Sequence, residues 1–268
     1  MYRETPPPAS LRGLVECAWW SDARGNRVLP DGCMDLLLSP DGGWSVAGPD
    51  TSAFLASGTA DWTAGIRFHP GVLPRLLGVP AEELRDRREP VESVAPRALR
   101  PLVADLRPAR SDAGAGLFGA VERLVDAAVE RRETAPWSLT ALGHVTARLG
   151  TGAAVADLAD ELGWSTRSLT RHCTAVFGYG PTVLRRILRF RAAADLLYRG
   201  VAPAEVAART GYADQPHLTR EVRSLACVPP SALVADSRPD PVIISPHAGQ
   251  GSAAKRSMWV PSGSVTVA

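Results

Sequence analysis

The chain has 268 residues, 45% of them hydrophobic, which is material for one large domain or two ordinary ones. A formal net charge of +2 excludes a bulk polycation, so any attraction for nucleic acid has to come from where the arginines stand. No apolar run approaches the roughly 20 residues of a membrane span. Cys17, Cys33, Cys173 and Cys227 lack metal-ligand spacing, which suits reduced thiols in a cytoplasmic protein that needs no cofactor.

The chain opens on MYRETPPPAS, polar and proline-rich, with no signal-peptide hydrophobic stretch. Short strands then follow over 14–20, 33–39, 44–48, 53–57 and 62–68, broken by Pro-Asp-Gly and related turn sequences. That spacing predicts a small barrel or sandwich. Trp19, Trp20, Trp44, Trp62 and Phe68 either fill its core, the reading we favour, or line an apolar pocket for a small effector. Helical segments come next, over 72–78, 81–87, 97–106 and 117–132. The last carries Leu117, Val121, Leu124, Val125 and Ala128 on one side, a stripe that serves either its own domain or a second subunit.

Catalysis finds little support in this half. His69 is the sole histidine before His144, so a clustered-histidine metal site is out of reach, and its place in GIRFHPG predicts a structural residue at a strand end. Turn chemistry explains Asp31, close to Asp35, without an acid–base role. No nucleophile–base pair is visible, and the chain is not expected to be an enzyme.

The second half contains one pattern twice. Leu158, Ala159, Gly163 and Trp164 correspond to Val206, Ala207, Gly211 and Tyr212; beyond the turn, Leu169-Thr170-Arg171 corresponds to Leu218-Thr219-Arg220, and Pro181 to Pro230. In each copy a short amphipathic helix stops at a glycine, and Ser165 or Asp214 stands ready to cap a second helix. Leu169 and Cys173, or Leu218, Val222 and Leu225, supply the buried sides of those second helices. The first presents Arg167, Ser168, Thr170, Arg171 and His172 outward; the second presents Gln215, His217, Thr219 and Arg220. Two short helices with a small-residue turn form the layout that places its second helix in the major groove. There arginine pairs with guanine and glutamine with adenine.

Between the copies runs a helical stripe of Val183, Ile187, Phe190, Ala194 and Leu197, flanked by Arg185, Arg186, Arg189 and Arg191. A helix of about 18 residues is roughly 27 Å long. Adjacent turns of a groove are about 34 Å apart, so both readers can reach one face of a duplex. Residues 155–236 hold ten arginines against eight acids, so placement again matters more than the total.

This block resembles the DNA-binding domain of the AraC/XylS-type transcription regulators. The resemblance rests on Gly163-Trp164-Ser165 with Arg167, Leu169 and Arg171; on Phe177-Gly178 with Pro181; on Arg191, Ala192 and Leu196-Leu197; and on Val206-Ala207 leading to Gly211-Tyr212-Ala213-Asp214-Gln215, then Leu218, Arg220 and Pro230. The phrases LPDGCMDLLL, GIRFHPG and LLGVPAEELRDR resemble an N-terminal domain of uncharacterised function often fused to this class. Two departures stand out: Val222 replaces a usual aromatic residue, and Cys227 replaces a glycine at a helix stop, where a left-handed backbone is strained.

The resemblance implies an α+β chain in three parts. A β-rich sensing or pairing domain with a helical extension spans 1–135. The DNA-binding domain spans 136–236, with modules at about 155–177 and 203–226 joined by a helix over 182–199. A flexible tail spans 237–268. The implied base-contact positions are Arg167, Thr170, Arg171, Gln215, His217 and Arg220, and Arg185, Arg186 and Arg189 are candidates for phosphate. The expected function is sequence-specific transcription regulation, modulated by an effector or by dimerisation. Expected partners are double-stranded DNA, a small-molecule effector, RNA polymerase and a second copy of the chain, with no membrane. Two alternatives stay open: a constitutive DNA-binding protein with a scaffold front half, and a DNA-damage regulator that modifies itself on Cys33.

Overall fold

The structure, a computed structural model, describes residues 2–22, 27–56, 61–95, 113–128 and 131–235. The expected helix at 97–106 and the tail at 237–268 lie outside them. The front half is built on a six-stranded antiparallel sheet in the order β1-β2-β7-β4-β5-β8. Its strands are β1 (Tyr2–Thr5), β2 (Val15–Ser21), β4 (Met34–Leu38), β5 (Trp44–Ala47), β7 (Thr63–Phe68) and β8 (Arg88–Pro90). A separate two-stranded ribbon pairs β3 (Arg27–Val28) with β6 (Phe54–Leu55). Among the described residues, the edges of the main sheet are β1 and β8.

Side chains alternate across the sheet with period two, and this divides the aromatic residues. One face carries Ala18, Met34, Leu36, Leu38, Trp44, Val46, Ala64, Ile66 and Phe68, all buried in the apolar core. The opposite face carries Trp19, Asp35 and Arg67, also buried but polar in character. Trp44 and Phe68 are therefore core residues, and Trp19 stands apart from them. Gly65 makes the room: a Cβ there would lie 2.7 Å from the Trp19 ring.

Two edge strands escaped the sequence reading. The polar start of the chain pairs as β1 along β2, with Arg3 opposite Trp20 and Thr5 opposite Ala18. The expected helix over 81–87 is instead one 3-10 turn, Ala81–Leu84, after which the chain enters β8. Asp86 breaks the helical path at φ +58, held by hydrogen bonds from the Thr51 backbone and hydroxyl to its carboxylate. Helix α1 (Val72–Leu77) and the short α2 (Val91–Val94) flank the sheet. Helix α3 (Ala113–Ala127) stops short of the expected Arg132, and its buried Leu117, Val121 and Leu124 face strands β2 and β7. The stripe that suggested a subunit contact is thus occupied by the protein's own sheet.

The second half is helical: α4 (Leu139–Gly150), α5 (Val155–Glu161), α6 (Thr166–Phe177), α7 (Pro181–Tyr198), α8 (Pro203–Arg209), α9 (Gln215–Ala226) and α10 (Pro230–Ala235). Ser165 accepts from Ser168 N–H to start α6, and Asp214 accepts from His217 N–H to start α9. Gly163 and Gly211 turn at φ +67 and +72, backbone states that cost glycine little. Cys227 adopts the same left-handed state at φ +61 to end α9. Both halves contribute to one continuous apolar core that runs from Leu11 to Leu233.

Candidate nucleic-acid interface

The second helix of each pair shows two unlike sides. On α6, Leu169, Cys173, Val176 and Phe177 are buried, and Arg167, Thr170 and Arg171 are exposed. On α9, Leu218, Val222, Leu225 and Ala226 are buried, and Gln215 and Arg220 are exposed. Val222 is fully buried and serves as a core side chain. Among the described residues, Arg167, Arg171 and Arg220 make no hydrogen bond or ion pair within the chain. Their guanidinium groups keep their full donor capacity for an outside acceptor.

Not every expected side chain points outward. His172 packs its ring 4.2 Å from Trp164 and 6.0 Å from Trp137, and burial together with Arg171 lowers its pKa. It belongs to the core seam between helices. His217 sits edge-on to Tyr212 at 5.2 Å and is half-buried, and the Thr170 hydroxyl donates to Thr166 O at 2.8 Å. Arg223, which sequence reasoning passed over, is exposed one turn beyond Arg220 and likewise without an internal partner among the described residues. The i,i+3 spacing from Arg220 was the signal for it.

Residues 158–236 match the family model of a helix-turn-helix domain, and residues 3–90 match a domain of unknown function (DUF6597). The chain carries an AraC-type helix-turn-helix domain. That domain is the DNA-binding part of transcription regulators. No curated protein matches the chain. Among solved structures, ToxT from Vibrio cholerae O395 is similar at 11% identity and a TM-score of 0.42, over 87% of this chain and 95% of that one. A second ToxT crystal form gives 10% and 0.45 over 87% and 98%, and a ToxT structure with an unsaturated fatty acid bound gives 11% and 0.41 over 78% and 89%.

The linker arginines of the AraC-type domain are engaged inside the chain. Arg185 donates to Ala153 O at 3.2 Å, at the entrance to the first module. Arg186 meets Glu221 at 2.8 Å and Ser224 at 2.7 Å, both on α9, and Arg189 lies over the Tyr212 ring at 4.3 Å. Helix α7 is thereby tied to both modules. Arg191 turns the other way, into the front half. It is 6% exposed and holds Glu16 with two hydrogen bonds of 3.0 and 2.7 Å. Glu16 sits where the β2–β7 register shifts between Val15 and Cys17, an irregularity that re-aims its side chain toward α7. Burial opposes the charge on Glu16, but His69 and Arg191 win and hold its carboxyl well below the usual range. His69 also meets Arg12 O at 3.1 Å, which makes it the structural strand-end residue its sequence suggested.

The front half also grips the ends of both candidate reading helices. Arg85 donates to Gly178 O just past α6; Ala53 N–H donates to Leu225 O and Arg27 to Ala226 O at the end of α9. Arginines at helix C-termini meet the negative end of the helix dipole. A cleft of about 730 Å³ opens beside the Glu16–Arg191 pair, between Val72 and His69 of the front half and Leu142 and Leu188 behind. Among the described residues, no group of three or more His, Cys, Asp or Glu side chains could hold a metal ion, and no helix is long and apolar enough to cross a membrane.

Proposed function

We propose that the chain regulates transcription by reading two successive major-groove segments of one duplex through α6 and α9, and that its front half modulates that reading. The observation that carries this is the pairing of two exposed basic faces, without partners among the described residues, on helices braced to a single 18-residue helix, α7. Arg167, Thr170 and Arg171 supply the first reader; Gln215 and Arg220 supply the second, joined by Arg223. His217 takes the lesser part because its ring already packs on Tyr212. Modulation is supported by the front half's hold on the ends of both helices, which a merely tethered scaffold would lack. The self-modifying alternative loses ground, because Cys33 is buried and desolvation pushes its thiol well above the ordinary range, leaving little thiolate to react. Pairing through α3 is not proposed, since its stripe is covered.

The test is selection of a duplex from a random pool, followed by footprinting. Two protected segments centred about one helical turn, roughly 34 Å, apart are expected. Arg171→Ala is expected to weaken specific binding by about 1–3 kcal/mol and to relax preference at one or two base pairs. Equal losses on selected and random duplexes would remove Arg171 from the readers, and a single short footprint would refute the two-segment reading.

A further inference from the structure

The polar face of the sheet encloses a cavity of about 160 Å³. An apolar cavity of roughly this size, about 150 Å³, holds a benzene molecule, so a ring-sized ligand fits. Its charge is unbalanced. Asp50 and Arg88 satisfy each other with bonds of 2.8 and 2.6 Å. Deeper in, one guanidinium, Arg67, faces two carboxylates: Asp31 at 3.4 Å and Asp35 at 3.4 Å. Cys33 N–H donates to Asp31 and the Trp19 indole to Asp35, each at 2.8 Å, but neither donor brings charge. Among the described residues that line it, three carboxylates stand against two guanidiniums, an excess of one negative charge. Desolvation raises Asp35 to about 6, against the pull of Arg67 and with the push of Asp31.

The walls of this cavity touch the AraC-type domain. Val28 and Phe54, from the β3–β6 ribbon, line it. The same ribbon delivers the Arg27 bond to Ala226 O, and Ala53, next to it, the bond to Leu225 O. On another side the Asp31–Cys33 turn lies against α7: Arg191 donates to Asp31 O at 3.4 Å, and Gly32 sits beside Leu184 and Leu188. A ligand that moved Asp31 or the ribbon would act directly on groups that position α7 and α9.

We propose that this cavity is the effector site of the regulator, that its ligand is a ring-sized organic cation such as a primary ammonium, and that the β3–β6 ribbon passes its occupancy to α9. This rests on the regulatory reading above and names its site and ligand chemistry. The ammonium supplies positive charge beside Asp31 and Asp35, and the Trp19 ring in the cavity wall receives its apolar part. A carboxylate of the same shape would add to the negative excess and is rejected.

Three probes of one shape and different charge test this on the full chain: benzylamine, benzyl alcohol and benzoate. The thermal midpoint is read for each in wild type, in Asp35→Asn and in Ala56→Trp, which narrows the cavity without removing charge. The proposal expects a saturable rise with benzylamine, a smaller one with benzyl alcohol and none with benzoate. It expects the benzylamine effect to vanish in Asp35→Asn; if that variant does not fold, loss of the effect in Ala56→Trp tests the same point. A benzylamine effect that survives in the folded cavity variants belongs to the wider cleft and overturns the proposal, as does stabilisation by benzoate or by none of the three. Relay is read as a change of at least threefold in DNA affinity on adding benzylamine to wild type, lost in Arg27→Ala while its thermal shift persists. No change in wild type overturns the relay. DNA binding without any probe is measured on the same samples: its absence defeats the regulatory reading whatever the probes do, and its presence beside silent probes defeats the cavity proposal alone.

Discussion

Arg191→Met is the perturbation whose cost follows most directly from the geometry. The pair it breaks is buried at both ends, with side chains 7% and 6% exposed, and is bidentate at 3.0 and 2.7 Å. Removing one partner of such a pair leaves a largely buried carboxylate without its guanidinium, at a cost of about 3–5 kcal/mol. Methionine keeps most of the volume, so little of that loss is cavity formation. Glu16→Gln with Arg191→Met should recover most of the loss, because neither charge then remains to be desolvated. Chemical denaturation of the full chain, as a double-mutant cycle, measures both numbers. The pH dependence supplies an independent check. The Glu16 carboxyl is held below its unfolded value of 4.5, so its contribution is complete above about pH 4.5 and is lost as pH falls below that. Arg191→Met should shrink that acid-side loss, leaving the part that His69 sustains. A cost below about 1 kcal/mol, or an unchanged acid limb, would refute the claim that this pair joins the halves.

Other consequences are open to simpler measurements. Asp35 acts with the opposite sign: its carboxyl is raised from 3.8 to about 6, so its contribution is complete below about pH 3.8 and is lost as pH rises through about 6. Asp35→Asn should abolish that decline in a denaturation series, and a variant profile that still falls would place its origin elsewhere. Cys227→Gly relieves a left-handed non-glycine residue at φ +61 and should stabilise the chain by about 1 kcal/mol, read as a raised denaturant midpoint with the slope unchanged. Arg186→Ala removes the bonds to Glu221 and Ser224 and should cost about 1 kcal/mol of stability, while the salt dependence of DNA binding stays the same. A salt slope shallower by about one would instead give Arg186 a phosphate contact.

The solvent-facing half of the candidate DNA-reading surface could be read from the chain because its rules are local. A serine or aspartate before a helix, a glycine after one and apolar residues every three or four positions act over one or two turns; Ser165, Asp214, Gly163 and Leu169 stand where those rules put them. The same locality placed Arg167, Arg171 and Arg220 on open faces. It failed for His172, whose polar ring is claimed by Trp137 and Trp164 from other segments, and for 81–87, where a bond to Thr51 outweighed helical periodicity. Linear spacing also could not divide the front-half aromatics, since strand parity is set by register against partners far along the chain.

Tertiary packing alone decided what the charged groups do. Arg185, Arg186, Arg189 and Arg191 look alike as a basic run along one helix, yet each is assigned by what folds against it: a backbone carbonyl, Glu221, the Tyr212 ring and Glu16. Arg67 meets Asp31 and Asp35 only after β7 lies beside β4. A charge takes its role from the counter-charge it meets in low dielectric, and in this protein those partners are brought together from up to 175 residues apart. Amphipathic pattern determines which residues go inside; long-range contact determines which buried charges are satisfied, and so where a ligand or a second domain can act.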